Sequence, residues 1–198
     1  KPIIVFEGIE CSGKSHHVNS VVKYFKKNKI EHIKIREPGG SLNSEKIRRL
    51  ILNNKSTFNK HTDLLLYLAA RSENVEVLKK NYKKKIILID RFVDSTLAYQ
   101  HYGMGINSSI IRTINQFLLK DIKPTFTFLN IVNQKNMLTR LKKRQTLNRY
   151  DKFKKNFYQR VQNGFLNLAK KKSNNYLILD SNLNIDKNKK LVIDKINK

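Results

Sequence analysis

The chain is 198 residues long, with 41 Lys plus Arg against 15 Asp plus Glu, a formal charge of +26, and a 39% apolar share that includes 10 Phe and 8 Tyr. That length supports one core and is short for two ordinary domains, while 7 Gly and 3 Pro are too few for a fibrous or disordered chain. A single cysteine, Cys11, excludes an internal disulfide framework, and neither a membrane-length apolar run nor a signal-peptide pattern is visible, so a cytoplasmic protein without a membrane partner is expected.

In chain order, the first predicted strand, Pro2 to Phe6, leads through a glycine-containing loop into a helix over Ser15 to Lys29. A strand at His32 to Arg36 follows, then helices at Ser44 to Asn53 and Thr62 to Tyr82. The third strand, Ile86 to Asp90, precedes helices at Asp94 to Tyr102 and Ser108 to Lys120. The strand Thr125 to Leu129 leads to helices at Gln134 to Lys143 and Lys152 to Lys172, and the strand Tyr176 to Asp180 to a last helix at Asp186 to Asn197. Most helices begin near Ser, Asn, Asp or Thr, whose side chains cap free backbone N–H groups. Continuous apolar strands such as IILI, 86–89, need cover on both faces. The expected fold is a doubly wound α/β domain over residues 1–198, a five-stranded parallel sheet flanked by helices on both faces.

Residues 8–15, GIECSGKS, spell G-x-x-x-x-G-K-S between a strand and a helix, the context of a P-loop. Gly8 and Gly13 permit a tight path through Ile9, Glu10, Cys11 and Ser12, on which backbone N–H groups converge on phosphate oxygens at a helix N-terminus. Lys14 is placed to bridge the β- and γ-phosphates of ATP, and Ser15 to ligate Mg²⁺. The same helix end would lower the pKa of the Cys11 thiol. A P-loop by itself does not choose among kinases, GTPases and motors, but no base-reading Asn-Lys-x-Asp segment is present; 184–187 read NIDK.

Four segments in order carry a resemblance: FEGIECSGKS at 6–15, REPGGS at 36–41 continued by EKIRRLIL at 45–52, LLLYLAARSENV at 64–75, and DRFVDSTLAYQ at 90–100. Together they resemble the bacterial thymidylate kinases, nucleoside-monophosphate kinases that use ATP and Mg²⁺ to phosphorylate dTMP. The resemblance implies that Arg48 and Arg91 hold the dTMP phosphate, with Arg36 a third candidate, and that Glu10 lies near that phosphate and its metal. It implies that Asp90, with Glu37 of the Glu37–Pro38 pair, helps hold the hydrated metal. Tyr67 would stack on thymine and Arg71 would contact its carbonyl edge; the two lie one helical turn apart. Thr96 or Ser95 would read the polar edge of the base, beside Gln100, and Tyr99 would crowd a 2′-hydroxyl. The family commonly has Phe at Tyr67 and Arg at Met104, so this chain departs at both.

The segment RLKKRQTLNRYDKF, 140–153, resembles the mobile lid of the bacterial branch, with Arg140, Arg144 and Arg149 keeping its basic spacing and Asn148 replacing the usual Asp. Because the P-loop interior IECS contains no Arg, a catalytic cation must come from elsewhere, and Arg144 and Arg149 are the candidates. The resemblance also implies a homodimer through a long helix, 62–82 or 108–120. A rival reading, a basic nucleic-acid-binding module, predicts exposed aromatics interleaved with Arg; here the aromatics lie in strands and amphipathic helices and the basic residues are scattered, so no specific nucleic-acid partner is expected. A related kinase for another nucleoside monophosphate or a nucleoside is the other alternative.

Overall fold

The run IIVFE, Ile3–Glu7 (β1), is buried at every position, which a strand achieves only between two partners and two covered faces. In the computed structural model, which describes residues 1–197, β1 pairs in parallel with Ile86–Asp90 (β3) on one side and with Phe126–Ile131 (β4) on the other. His32–Arg36 (β2) and Tyr176–Asp180 (β5) complete a five-stranded parallel sheet in the order β2-β3-β1-β4-β5. The register sets Val5 beside Ile89 and Thr127, and Phe6 beside Asp90 and Phe128.

Alternation along β1 divides the core. Ile4 and Phe6 face Lys14–Lys27 (α1) and Ile185–Ile196 (α8), packing with Val18, Val21, Phe25, Leu88, Phe128 and Val192. Ile3 and Val5 face the other way, with Ile35, Val75, Leu78, Ile87 and Ile89 beneath Lys60–Asn81 (α3). The Phe6 and Phe128 rings stack at 5.0 Å across the β1–β4 pair. Leu42–Leu52 (α2) packs on α3, and Ser108–Leu119 (α5) also reaches α3. Asparagine caps recur: Asn59 opens α3, Asn107 opens α5, Asn133 opens Gln134–Lys142 (α6) and Asn184 opens α8, each side chain accepting a first-turn N–H.

Three predicted elements change shape. The helix expected over Asp94 to Tyr102 is one α-turn, Val93–Thr96 (α4), that widens into a π-helical segment, Leu97–Gly103. The helix expected from Lys152 starts later, as Lys155–Lys171 (α7), after a separate 3₁₀ turn at Arg149–Lys152. The fourth strand is displaced toward its C-terminus relative to Thr125 to Leu129, because its pairing with β5 continues through Asn130 and Ile131. The sheet order reverses around β1, so the carboxyl ends of β1, β2 and β3 open onto one crevice, where this topology places ligands.

Candidate active site

At the end of β1 the chain turns through Gly8 at φ 138°, Cys11 at φ 56° and Gly13 at φ 86°. A Cβ on Gly8 would stand 2.2 Å from the Asn130 carbonyl oxygen, so only glycine fits there. Gly13 is the N-cap of α1 and supplies no capping side chain, which leaves first-turn N–H groups for an anion. Lys14 is buried and donates to the Ile9 carbonyl at 2.8 Å. Burial, helped by the neighbouring Arg91 cation, pulls its pKa from 10.5 down to about 8. The Ser15 hydroxyl donates to Asp90 Oδ2 at 3.2 Å.

Across the crevice, Arg91 occupies a left-handed backbone position, φ 67°. Its Nη1 donates to the Gly8 carbonyl at 2.8 Å and its Nη2 to Glu10 Oε1 at 2.9 Å, while the guanidinium lies 5.1 Å over the Tyr99 ring. The Tyr99 hydroxyl donates to the other Glu10 oxygen. Arg71 is 2% exposed and held at all three nitrogens, with Nε and Nη2 on Glu37 Oε2 at 2.8 and 2.7 Å and Nη1 on Asn115 at 2.6 Å. Among the described residues, Glu37 Oε1 and Gln100 Nε2 are buried without a partner. Such atoms cost about 1–3 kcal/mol each until something meets them. Arg48 donates to the Pro38 carbonyl at 2.7 Å.

These groups border one cleft of about 610 Å³. It gathers Glu10, Cys11, Ser12, Gly13, Lys14 and Ser15 with Glu37, Pro38, Arg48, Tyr67, Arg71, Asp90 and Arg91, and with Ser95, Thr96, Tyr99, Gln100 and Arg144. Arg36, the third phosphate candidate, lies at its edge in an ion pair with Glu45. The α-helical spacing used to group Thr96 with Tyr99 does not apply to a π-helical segment, yet Thr96, Tyr99 and Gln100 all reach the cleft. Gly8 and Ile9 are not among its lining; Gly8 abuts Asn130 and Ile9 is buried in the core, so any part they take is through the backbone.

Two expectations need correction. Arg149 does not enter the cleft: its Nη2 pairs with Asp63 of α3, its Nε donates to the Ile51 carbonyl at 3.1 Å, and the guanidinium lies over Phe58 and Tyr150. A buried carboxylate takes the charge that the lid spacing assigns to the phosphates. The Cys11 thiol is pushed up rather than down, because burial outweighs the nearby Arg144 cation. Arg144 does face the cleft while pairing with Asp151 at 2.6 Å. Asn148 closes a capping box with Asp151, accepting from the Tyr150 N–H at 2.8 Å, which its amide oxygen does as well as an aspartate. Met104 packs against the apolar cluster around Tyr99 and Phe157.

Sequence reading missed two participants and placed a third, Arg140, only by its basic spacing in the lid. Glu7 is fully buried at the end of β1, and burial pushes its carboxyl up to about 7. An acid directly after an otherwise apolar strand was the one local hint, and it names no partner. Arg140, at the root of the lid segment, donates to the Cys11 and Ser181 carbonyls at 3.0 and 2.6 Å, bracing the P-loop. Tyr150 stands edge-on to Tyr67 and Tyr99 as a wall of the cleft, and no local pattern distinguishes it from a core aromatic.

For Mg²⁺, the Ser15 hydroxyl and Asp90 carboxylate supply adjacent hard oxygens facing the P-loop, while Glu37 is turned to Arg71. Among the described residues no cluster of three or more His, Cys, Asp or Glu is placed to hold a metal. Two oxygen donors beside a phosphate cradle fit an ion carried mainly by substrate phosphates and water.

The thymidylate kinase family model matches residues 6–192. The chain is 34% identical over 186 residues to the thymidylate kinase of Kosmotoga olearia, covering 93% of this chain and 89% of that protein. It is 38% identical over 185 residues to that of Thermosipho africanus, covering 92% and 91%. The crystal structure of thymidylate kinase from Ehrlichia chaffeensis superposes with a TM-score of 0.79 at 30% identity, over 100% of this chain and 98% of that one.

Proposed function

The chain belongs to the thymidylate kinase family and, as a member, phosphorylates dTMP to dTDP with ATP as donor in dTTP biosynthesis; we propose how its own residues do so. The observation that carries the reading is the cleft in which the P-loop faces the Arg91, Glu10 and Tyr99 cluster. Lys14 leaves the Ile9 carbonyl to meet the β- and γ-phosphates, exchanging a neutral partner for charged ones. Arg91 and Arg48 hold the dTMP phosphate, and Glu10 fixes the Arg91 fork in advance of substrate. Ser15 and Asp90 orient Mg²⁺, which when bound neutralises charge on the phosphate oxygens.

On the base side, Tyr67 stacks on thymine, and the unpaired Gln100 amide and Glu37 oxygen await polar groups of the ligand. Arg71, Ser95 and Thr96 frame the base edge, and Tyr99 lies where a 2′-hydroxyl would have to fit. The chain works as one domain with 140–153 as its lid; of the two lid candidates, Arg144 faces the transferred group and Arg149 anchors the lid. The enzyme acts in the cytoplasm as a homodimer through α5 and the adjoining part of α3, where Ile110, Phe117 and Leu65 are 50%, 76% and 60% exposed.

ADP formation from ATP and Mg²⁺, measured in parallel with dTMP, dUMP, dGMP, dCMP, AMP and thymidine, tests the acceptor reading. Turnover is expected to be fastest with dTMP. Preference for another acceptor would leave the P-loop assignment intact and remove the roles given to Tyr67, Arg71, Gln100 and Tyr99.

A further inference from the structure

Glu7 touches none of the proposed ligands, yet it is a fully buried carboxylate directly behind the acceptor-phosphate cluster. Its Oε1 accepts the backbone N–H groups of Phe92 at 2.9 Å and Ser95 at 3.1 Å, and its Oε2 accepts the Ser95 hydroxyl at 2.5 Å. These three donors flank Arg91 on its C-terminal side. Arg91 itself is the difficult residue of this turn, a non-glycine at φ 67° followed by Phe92 at φ −144° and ψ −143°. A left-handed arginine persists only where its surroundings over-determine it. On the other side the Arg91 N–H donates to the Phe6 carbonyl at 3.0 Å, tying the turn to β1, and the Glu37 N–H donates to the Asp90 carbonyl at 2.9 Å. Ser95 also meets Arg91 directly, its Oγ lying 3.4 Å from Nη1.

We propose that Glu7 is a positioning residue for dTMP: by gathering the Phe92 and Ser95 donors it holds the left-handed turn that aims Arg91 at the acceptor phosphate. The proposal rests on the reading of Arg91 as a dTMP-phosphate ligand. Above about pH 7, where this carboxyl is ionised, it accepts at both oxygens, whereas an amide presents one acceptor and one donor to the same three groups. The Ser95 hydroxyl, which also borders the cleft, would then have to turn its proton elsewhere.

The test is a double-mutant cycle in steady-state kinetics with Glu7→Gln, Arg91→Ala and the double variant, each titrated with dTMP and with ATP. Glu7→Gln is expected to raise KM for dTMP about tenfold, the scale of a charged hydrogen-bond network disturbed at one member, with KM for ATP changed less than about twofold. In the Arg91→Ala background the same change is expected to add less than about twofold, because the group it positions is gone. An equal loss in both backgrounds, or equal losses toward dTMP and ATP, overturns the proposal in favour of a merely structural carboxylate. If Arg91→Ala alone leaves KM for dTMP unchanged, the reading of Arg91 fails and the positioning role fails with it, a result distinct from either pattern above. Should Glu7→Gln not fold, Glu7→Asp keeps the charge but draws the carboxylate back by one methylene from the Phe92 and Ser95 donors, and it carries the same cycle under the same criteria.

Discussion

At the residue scale, the functional groups of this cleft are held at a cost to the fold. Lys14 is a buried cation whose folded pKa, about 8, lies below its ordinary 10.5. A cation depressed in the folded state lowers stability fully below pH 8, and the penalty fades as pH rises from 8 to 10.5, where folded and unfolded chains are both neutral. Lys14→Met keeps the length and removes the charge. Thermal melts of the nucleotide-free protein are expected to show a higher Tm than wild type at pH 7, with the gap narrowing above pH 8. The same variant is expected to lose about 10²–10³-fold in kcat/KM, the scale of removing one preorganised charge from developing phosphate charge. A lower Tm at pH 7 would show that the Ile9 hydrogen bond outweighs desolvation. Lys14 and Ser15 were legible in the sequence because the P-loop is a local motif; Glu7 was not, because its three partners lie more than eighty residues away.

At the element scale, the segment read as a lid is tied to the acceptor side of the cleft. Asp63, 2% exposed on α3, accepts both the Arg149 guanidinium and the Tyr150 hydroxyl, the latter at 2.8 Å, and Asn54 donates to the Leu147 carbonyl at 2.7 Å. Breaking a buried pair on one side costs on the order of 3–5 kcal/mol, and here that cost falls on a short turn rather than on the core. Asp63→Asn is therefore expected to speed proteolysis within 143–148 by about tenfold or more and to raise KM for dTMP, while the global Tm moves by only a few degrees. Unchanged cleavage would mean that the turn is held by its capping box and aromatic contacts alone. A long connection also explains the π-helical segment. The Gly103 and Gly164 positions bring Leu97–Gly103 and α7 so close that a Cβ on Gly164 would lie 2.6 Å from the Tyr102 ring, and that packing selects a wider turn no local period announces.

At the scale of the whole molecule, the formal charge of +26 is spread over a surface that also exposes Ile110 and Phe117, seven residues apart on one face of α5. Like charges oppose association, so a homodimer must gain its stability from such apolar faces. Phe117→Asp is expected to convert the protein to a monomer in sedimentation velocity at moderate salt, with dTMP turnover per chain retained at least in part; a wild-type monomer under the same conditions would remove the dimer from the proposal. By itself the sequence determined the parallel sheet and the location of the cleft. β-branched apolar runs select strands, helical periods between them force parallel crossovers, and the P-loop marks the end of the first strand. The tertiary structure decided which basic residues face that cleft, where the helix after β3 widens, and what stands behind Arg91. Local pattern reports the energetic preference of a segment, whereas a guanidinium goes to whichever buried carboxylate the fold brings within reach, and that distance exists only after folding.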